Sequence, residues 1–148
     1  MTNVTIRPLA RADHAEWRRL WHDYLAFYET DVAPQVYDTT WERLFDEGRY
    51  EPNGLIAEVD GKAVGLVHYI LHRTCWAVGD NCYLQDLYAD PHIRGAGVGR
   101  ALIEAVYAKA DAAGAANVYW MTQHFNDTAR KLYDRIAKLT PFIKYQRN

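Results

Sequence analysis

The segment LYADPHIRGAGVGR, residues 87–100, decides how this chain folds. It begins with strand-like apolar residues, passes through a turn with glycine at positions 95, 97 and 99, and then opens a helix. The helical spacing of apolar residues continues to Gly114, a typical helix-ending residue. Glycines let the backbone N–H groups of such a turn approach a ligand closely, and the helix N-terminus adds partial positive charge. The segment therefore predicts an anion-binding site.

The spacing of these glycines excludes two common phosphate-binding patterns. The dinucleotide pattern GxGxxG would need glycine at position 100, where Arg100 stands. A P-loop would need a Gly-Lys-Ser or Gly-Lys-Thr end, which this turn lacks. Arg94 and Arg100 flank the turn and can add charge-assisted hydrogen bonds to a phosphate. On spacing alone, a turn that only joins a strand to a helix remains the alternative.

The chain before this segment begins with a strand and two helices. Residues 4–7 alternate like a strand, and the aromatic and aliphatic residues from Trp17 to Tyr28 recur at helical spacing. Pro34 interrupts the helical pattern, so a second, short helix is predicted to begin at Thr39 or Thr40. The first fifty or so residues thus predict the order strand, helix, helix.

The remaining elements alternate between strand and helix patterns. The pair Asp60-Gly61 predicts a tight hairpin turn, because both residues tolerate positive φ angles. The predicted elements are hairpin strands at residues 55–59 and 63–71, a strand at 83–89, a helix from 98, a strand at 118–121, a helix begun by Asn126 or Asp127, and a strand at 142–146. We therefore expect one α+β domain, residues 1–148, in the order β-α-α-β-β-β-α-β-α-β.

Composition excludes several classes of protein. A formal charge of −2 and a pI near 6.3 argue against nucleic-acid binding. The sequence has no run of about 18 uncharged apolar residues, which argues against a membrane span. The start of the chain lacks the profile of an export signal, and the two cysteines lack CxxC spacing, so we expect a reduced, cytoplasmic protein. His72, Cys75 and Cys82 lack a fourth ligand nearby, so no metal is expected.

Acidic residues are concentrated between Trp21 and Gly48. Arg43 is the single basic Lys or Arg residue of this stretch. The excess predicts either solvated helix faces or a surface that attracts a cationic substrate. The acidic residues are Asp23, Glu29, Asp31, Asp38, Glu42, Asp46 and Glu47.

Two motifs together resemble those of a known family. Residues 94–99 match the pattern Q/R-x-x-G-x-G/A, and residues 126–133 match N-x-x-A-x-x-L/F-Y. In these motifs, and from about Leu55 onward, the chain resembles the GNAT acetyltransferases, in particular the small histone, polyamine and amino-acid subgroup. The resemblance implies a mixed, mostly antiparallel central sheet with helices on both faces. It also implies that the more divergent first fifty or so residues hold the acceptor site.

The resemblance implies acetyl-CoA as co-substrate and assigns residues to it. The backbone of Leu87, Tyr88 and Ala89 is expected to pair with the pantetheine amides. Asn126 is expected to hydrogen-bond the pantetheine arm, with Ala129 of the same motif beside it. The pyrophosphate is expected on Arg94, Gly95, Ala96, Gly97, Val98, Gly99 and Arg100.

The resemblance also implies catalytic roles. Tyr133 is the expected general acid for the departing thiolate, and the amide of Tyr88 or Ala89 is the expected oxyanion donor. Gln85 stands where polyamine-acetylating relatives carry a glutamate, and a neutral amide cannot take a proton. Asp86 is adjacent, but strand alternation predicts that it faces the opposite side from Gln85.

Other candidates for the general base are His124 and Glu29, although a single dedicated base need not exist. The function implied is acetyl transfer to a small primary amine, polyamine-like or an amino acid. Acetylation of protein or histone lysines and a non-catalytic CoA-binding module are the alternatives. The apolar alternation of residues 142–146 and the habit of the subgroup favour a homodimer formed through the C-terminal strand.

Overall fold

The computed structural model describes residues 3–93 and 95–148, which form a five-stranded sheet with helices on both faces. The order of the strands in the sheet is their order in the chain. The first four strands pair antiparallel, and the fifth runs parallel to the fourth. The strands are β1 (Val4–Pro8), β2 (Asn53–Val59), β3 (Lys62–His72), β4 (Asn81–Ala89) and β5 (Asn117–Tyr119). The helices are α1 (His14–Phe27), α2 (Pro34–Arg43), α3 (Val98–Ala112) and α4 (Asp127–Ile136), with a 3-10 turn at Arg11–Asp13.

The predicted α+β class and the element order from β1 to α4 are confirmed. Asp60 and Gly61 have φ angles of 52° and 76°, as the tight hairpin turn between β2 and β3 requires. The second helix begins earlier than predicted, because Pro34 occupies its first position instead of breaking it. Proline is tolerated there since the first backbone N–H groups of a helix have no intrahelical partner.

The predicted C-terminal strand is wrong for this chain on its own. Residues 137–148 lie within the described part, form no strand, and are exposed throughout. Their apolar alternation resembles a strand, but an alternating segment becomes a strand only where another strand offers its edge. The neighbouring edge strand, β5, is three residues long and offers few backbone groups for pairing.

Two apolar cores hold the helices against the sheet. On one face, α3 packs Leu102, Ile103 and Val106, each 0% exposed, against β2, β3 and β4. On the other face, Trp17 and Leu20 of α1 are fully buried against the sheet and α2. Burial of each large apolar side chain contributes about 1.5–3 kcal/mol, so both layers are firmly anchored. None of the helices in the described ranges is long and apolar enough to cross a membrane.

A β-bulge in β4 changes which way its side chains face. Asp86 pairs with His68 and Leu84 pairs with Tyr69, which leaves Gln85 without an opposite residue. The prediction that Gln85 and Asp86 face opposite sides is therefore wrong, because the extra residue interrupts the alternation. Both line one cavity together with His68.

Candidate active site

The glycine turn before α3 has the geometry of an open backbone cradle. Gly95 and Gly97 have φ angles of +75° and +73°, which residues with a side chain rarely adopt. A Cβ at either position would meet nothing within 4 Å, so the space beside the turn is free among the described atoms. Val98 begins α3 and is buried, and the first backbone N–H groups of a helix have no intrahelical partner.

Arg94 and Arg100 are the two side chains predicted to assist the turn. Arg94 lies outside the described residues. The Nε of Arg100 donates to Oε1 of Glu104 at 2.7 Å, one helical turn along an exposed face of α3. Gly99 lies toward α4, because a Cβ there would meet Cδ2 of Leu132 at 3.5 Å. The turn and α4 are therefore close neighbours.

The edge of β4 next to the turn is open. β5 pairs only with Asn81–Tyr83, so from Leu84 to Ala89 no described strand pairs on that side. This is the stretch that contains Leu87, Tyr88 and Ala89. Its outward backbone groups are available to an extended ligand, as at a sheet edge that accepts an added strand.

The α4 motif residues lie on one face of that helix. Asn126 is its N-cap residue, and Ala129 and Tyr133 follow at positions that share a helical face. All three are half-buried. The ring of Tyr133 packs edge-on against Trp120, with centroids 5.4 Å apart. Burial, with a smaller contribution from Tyr28, raises the pKa of Tyr133 to about 12, so its hydroxyl stays protonated at neutral pH.

A buried hydrogen-bond chain ends at Asp86. Nε1 of Trp17 donates to Nε2 of His68 at 3.0 Å, and Nδ1 of His68 lies 3.0 Å from Oδ2 of Asp86. An indole N–H can only donate, so Nε2 of His68 must accept, and the ring proton sits on Nδ1 and is donated to Asp86. The side chains of His68 and Asp86 are only 3% and 12% exposed. Asp86 is thus held in one orientation by a neutral imidazole.

Three tyrosines surround the Asp86 carboxylate. Burial, followed by the charge and a hydrogen bond of Asp86, raises the pKa of Tyr24. Burial and then the charge of Asp86 also raise the pKa of Tyr28. The pKa of Tyr83 is raised by burial, by Tyr119 and by Asp86. Tyr28 also makes a small contribution to the raised pKa of Tyr133.

A cavity of about 480 Å³ opens on the α1 and α2 side of the sheet and reaches Asp86. We call it the α2 cavity. The residues that define it include Val36, Thr40, Arg43, His68, Gln85 and Asp86.

The other base candidates lie apart from this arrangement. His124 is exposed and contacts Arg130, which donates to the His124 carbonyl at 2.7 Å. Glu29 is exposed and has a φ of 56° at the end of α1. No hydrogen bond found among the described residues connects either one to Asp86 or Tyr133.

Much of the acidic excess on the first two helices is engaged locally. Glu42 accepts two hydrogen bonds from Arg11. Asp31 accepts from the Tyr37 hydroxyl at 2.9 Å, and Asp46 accepts from the backbone of Gly48. These contacts are typical of solvated helix faces and favour that interpretation over a substrate-attracting surface.

No group of three or more metal-ligating side chains occurs in residues 3–93 and 95–148. Of the three residues considered as ligands, His72 uses Nε2 to contact the Tyr119 hydroxyl at 2.8 Å. Cys82 is buried, which raises the pKa of its thiol to about 11, and Cys75 is exposed.

The sequence predicts a site at the turn, the β4 residues and Tyr133, but it gives no role to His68, Trp17 or Tyr24, whose hydrogen bonds or charges reach Asp86 directly or through His68. The side chains of Trp17 and Tyr24 were interpreted only as part of the apolar face of α1. A signal for Tyr24 existed in its i, i+4 spacing to Tyr28, which places two hydroxyls side by side on that helix. No local signal marked His68.

Comparison with known proteins identifies the family of this chain. The sequence model of the acetyltransferase (GNAT) family matches residues 16–137. The D-amino-acid N-acetyltransferase HPA3 of Saccharomyces cerevisiae is 37% identical over 146 residues, covering 98% of this chain and 91% of that protein.

Solved structures share the fold. A ribosomal-protein-alanine N-acetyltransferase from Brucella melitensis biovar Abortus 2308 has a TM-score of 0.82 at 24% identity, covering 99% of both chains. The aminoglycoside N-acetyltransferase AAC(6')-Iy, solved in complex with CoA, has a TM-score of 0.84 at 18% identity, covering 100% of this chain and 96% of that one. With the family match spanning most of the chain, the glycine turn, the open β4 edge and the α4 motif are those of an N-acetyltransferase, and this chain belongs to the GNAT family.

Proposed function

We propose that this acetyl-CoA-dependent N-acetyltransferase acetylates the primary amine of a small molecule, and that the acceptor is an amino acid. The single observation that carries the proposal is the largely buried Asp86 carboxylate, which His68 holds on β4 beside the open edge of that strand. The choice of an amino acid is supported by the similarity to HPA3, whose name is D-amino-acid N-acetyltransferase.

The described residues fit acetyl-CoA. The free space beside Gly95 and Gly97, which a side chain there would enter, suits a pyrophosphate held by backbone N–H groups. Leu87, Tyr88 and Ala89 would pair with the pantetheine arm, and Asn126 and Ala129 would flank it. Gly95, Ala96, Gly97, Val98, Gly99 and Arg100 would form the phosphate cradle, with Arg94 beyond the described residues.

Acetyl-CoA supplies a thioester carbonyl that the acceptor amine attacks, with departure of the CoA thiolate. Asp86 would take a proton from the bound ammonium group, directly or through one water, and the neutral amine that results would attack the thioester. The second proton, lost as the C–N bond forms, would pass to water. The amide of Tyr88 or Ala89 would donate to the carbonyl oxygen as negative charge grows there. Tyr133 would donate its hydroxyl hydrogen to the sulfur, for which a pKa of about 12 keeps it protonated.

Gln85 and His68 would support this chemistry without exchanging the reacting proton. Gln85 is exposed and lines the α2 cavity, so its amide would hydrogen-bond the acceptor. His68 would act as a positioning residue, because its Nδ1–H orients the Asp86 carboxylate. A neutral ring suits that role, since it adds no positive charge to oppose proton uptake.

We also propose that the protein forms a homodimer through its C-terminal segment. Leu139, Phe142, Ile143 and Tyr145 are 70–90% exposed, which is unusual for so many large apolar side chains in one short segment. The exposed apolar side chains of this segment in two subunits would pack against each other. Light scattering should give twice the monomer mass, and removal of residues 140–148 should give the monomer.

We further propose a cytoplasmic location. Both cysteines are free, and buried Cys82 has no disulfide partner among the described residues. Unpaired thiols are usual in a reducing compartment.

An acceptor panel tests the proposed reaction. Purified protein is supplied with acetyl-CoA and either D- or L-amino acids, spermidine or a lysine peptide, and free thiol is measured against a control without acceptor. We expect the highest kcat/KM with amino acids. Preferred turnover of spermidine or the peptide would contradict the proposed acceptor class, and thiol release without any acceptor would indicate hydrolysis only.

A further inference from the structure

We propose that the α2 cavity binds the acceptor as a zwitterion, with Arg43 holding the α-carboxylate, Asp86 facing the amine, and apolar walls selecting an apolar side chain. This inference rests on the proposed function, because it assigns the acceptor of that same reaction. It adds a specificity-determining residue and a preferred acceptor chemistry.

The position of the cavity brings an acceptor to Asp86. Val36, Thr40 and Arg43 share one face of α2, at spacings of four and three residues, and line one wall. The bulge in β4 turns Gln85 and Asp86 into the opposite wall. A volume of about 480 Å³ exceeds that of a single amino acid, so the molecule can enter with water.

The charges that line the cavity are of both signs, as a zwitterion requires. Asp86 and Glu51 are its negative residues, and Arg43 is its positive one. Arg43 forms no salt bridge within the part of the chain that the structure describes, whereas Arg11 and Arg18 of the same region pair with carboxylates. An uncommitted guanidinium binds a carboxylate through two parallel hydrogen bonds, which also fixes its orientation.

The rest of the lining is largely apolar or aromatic. Trp21, Val36, Tyr50, Pro52 and Ile70 contribute to it, and this composition favours an apolar acceptor side chain. The Nε1–H of Trp21 is buried and has no hydrogen-bond partner among the described residues. It is a further donor at the cavity wall for an acceptor oxygen that reaches it.

The guanidinium of Arg43 disfavours an ammonium group placed beside it. A second ammonium group that reached the far wall would meet the guanidinium of Arg43, and like charges repel. Glu51 also lines the cavity, so this repulsion acts on an ammonium group placed beside Arg43, while Glu42 outside the cavity is engaged by Arg11. Arg43 therefore favours an acceptor that carries a carboxylate as well as its amine.

The test compares D-phenylalanine with phenethylamine, which is the same molecule without the carboxylate. Kinetics with both acceptors are measured for the wild type, Arg43→Gln and Arg43→Lys, and D-phenylalanine binding to the CoA-loaded protein is measured by calorimetry. The matched control is Arg18→Gln, because Arg18 is a half-exposed helix arginine outside this cavity. Melting temperatures check that each variant is folded.

We expect Arg43→Gln to raise the KM for D-phenylalanine about 10- to 100-fold, as for loss of a hydrogen bond between charged groups, with the KM for phenethylamine unchanged. Arg43→Lys should recover part of the loss, since it keeps the charge without the planar fork. Equal effects on both acceptors, or none on either, would overturn the inference and leave the acetyltransferase proposal intact. Arg43-dependent binding of D-phenylalanine without turnover would support the inference and overturn the proposed reaction.

Discussion

Replacement of His68 separates two hydrogen bonds that its ring makes at once. Nε2 accepts from buried Trp17, and Nδ1 donates to Asp86, both at 3.0 Å. In His68→Gln, the side-chain oxygen can reach the place of Nε2 and keep the Trp17 bond. In His68→Asn, the shorter amide can reach the place of Nδ1 and keep the bond to Asp86. His68→Leu removes both.

The expected magnitudes follow from what each variant leaves unpaired. Without its acceptor, the 0%-exposed Trp17 keeps a buried N–H, which costs about 1–3 kcal/mol, or roughly 2–12 °C in Tm for a domain of this size. Without its donor, Asp86 loses a hydrogen bond to a charged group, worth about 1.5–3 kcal/mol, and its fixed orientation. We therefore expect His68→Asn to lower Tm and keep kcat within about threefold, and His68→Gln to lower kcat about 10- to 100-fold with a smaller Tm change.

The assay is thermal melting together with steady-state thiol release at saturating acetyl-CoA and amino acid. His68→Leu should show both losses. If the Asn and Gln variants have the same profile, the two hydrogen bonds are not separable. If His68→Leu retains wild-type kcat, His68 does not position the base.

Three further predictions concern the other parts of the site. Gly97→Val should abolish the rise in Tm caused by acetyl-CoA, because a branched side chain is strained at a φ of +73° and blocks the cradle. The control Gly61→Val, at a φ of +76° in the hairpin turn, should keep that rise. An intact response in Gly97→Val would mean that the phosphates bind elsewhere. Tyr133→Phe should lower kcat about 10²-fold or more with an unchanged KM for acetyl-CoA. The control Tyr107→Phe, which loses a hydrogen bond to the Ile136 carbonyl, should affect Tm alone. Equal kcat values for Tyr133→Phe and the wild type would exclude Tyr133 as the acid. Glu29→Gly should raise the free energy of unfolding by about 0.5–1 kcal/mol, since glycine adopts the φ of 56° without strain. Turnover should stay unchanged, and a tenfold loss would point to Glu29 as the base.

The features predicted from sequence were those encoded by spacing within one element. Gly95, Gly97 and Gly99 share a single turn, and Asn126 and Tyr133 share one helix face, so their relative placement follows from local geometry. The pairing of β2 with β3 likewise followed from the hairpin turn at Asp60 and Gly61.

The features that were missed depend on register between distant segments. Trp17 and His68 are 51 residues apart, and their contact requires α1 to cross β3 at one position. The direction of the Asp86 side chain depends on the bulge at Gln85, and no residue type in β4 predicts that bulge. The prediction of a strand at residues 142–146 was wrong for a related reason. An alternation of apolar residues indicates that a segment can form a strand, but not that another strand is present to pair with it.

The proposed reaction depends on Asp86 acting as the base beside bound acetyl-CoA. The most direct measurement is thiol release by Asp86→Asn at saturating amino acid, with acetyl-CoA affinity measured by calorimetry on the same samples. Asparagine keeps the size of the side chain and can still contact His68, but it cannot take a proton. We predict wild-type affinity for acetyl-CoA and a loss in kcat of about 10²- to 10⁴-fold, the range for a removed general base. Turnover within threefold of wild type, or loss of acetyl-CoA binding, would contradict it.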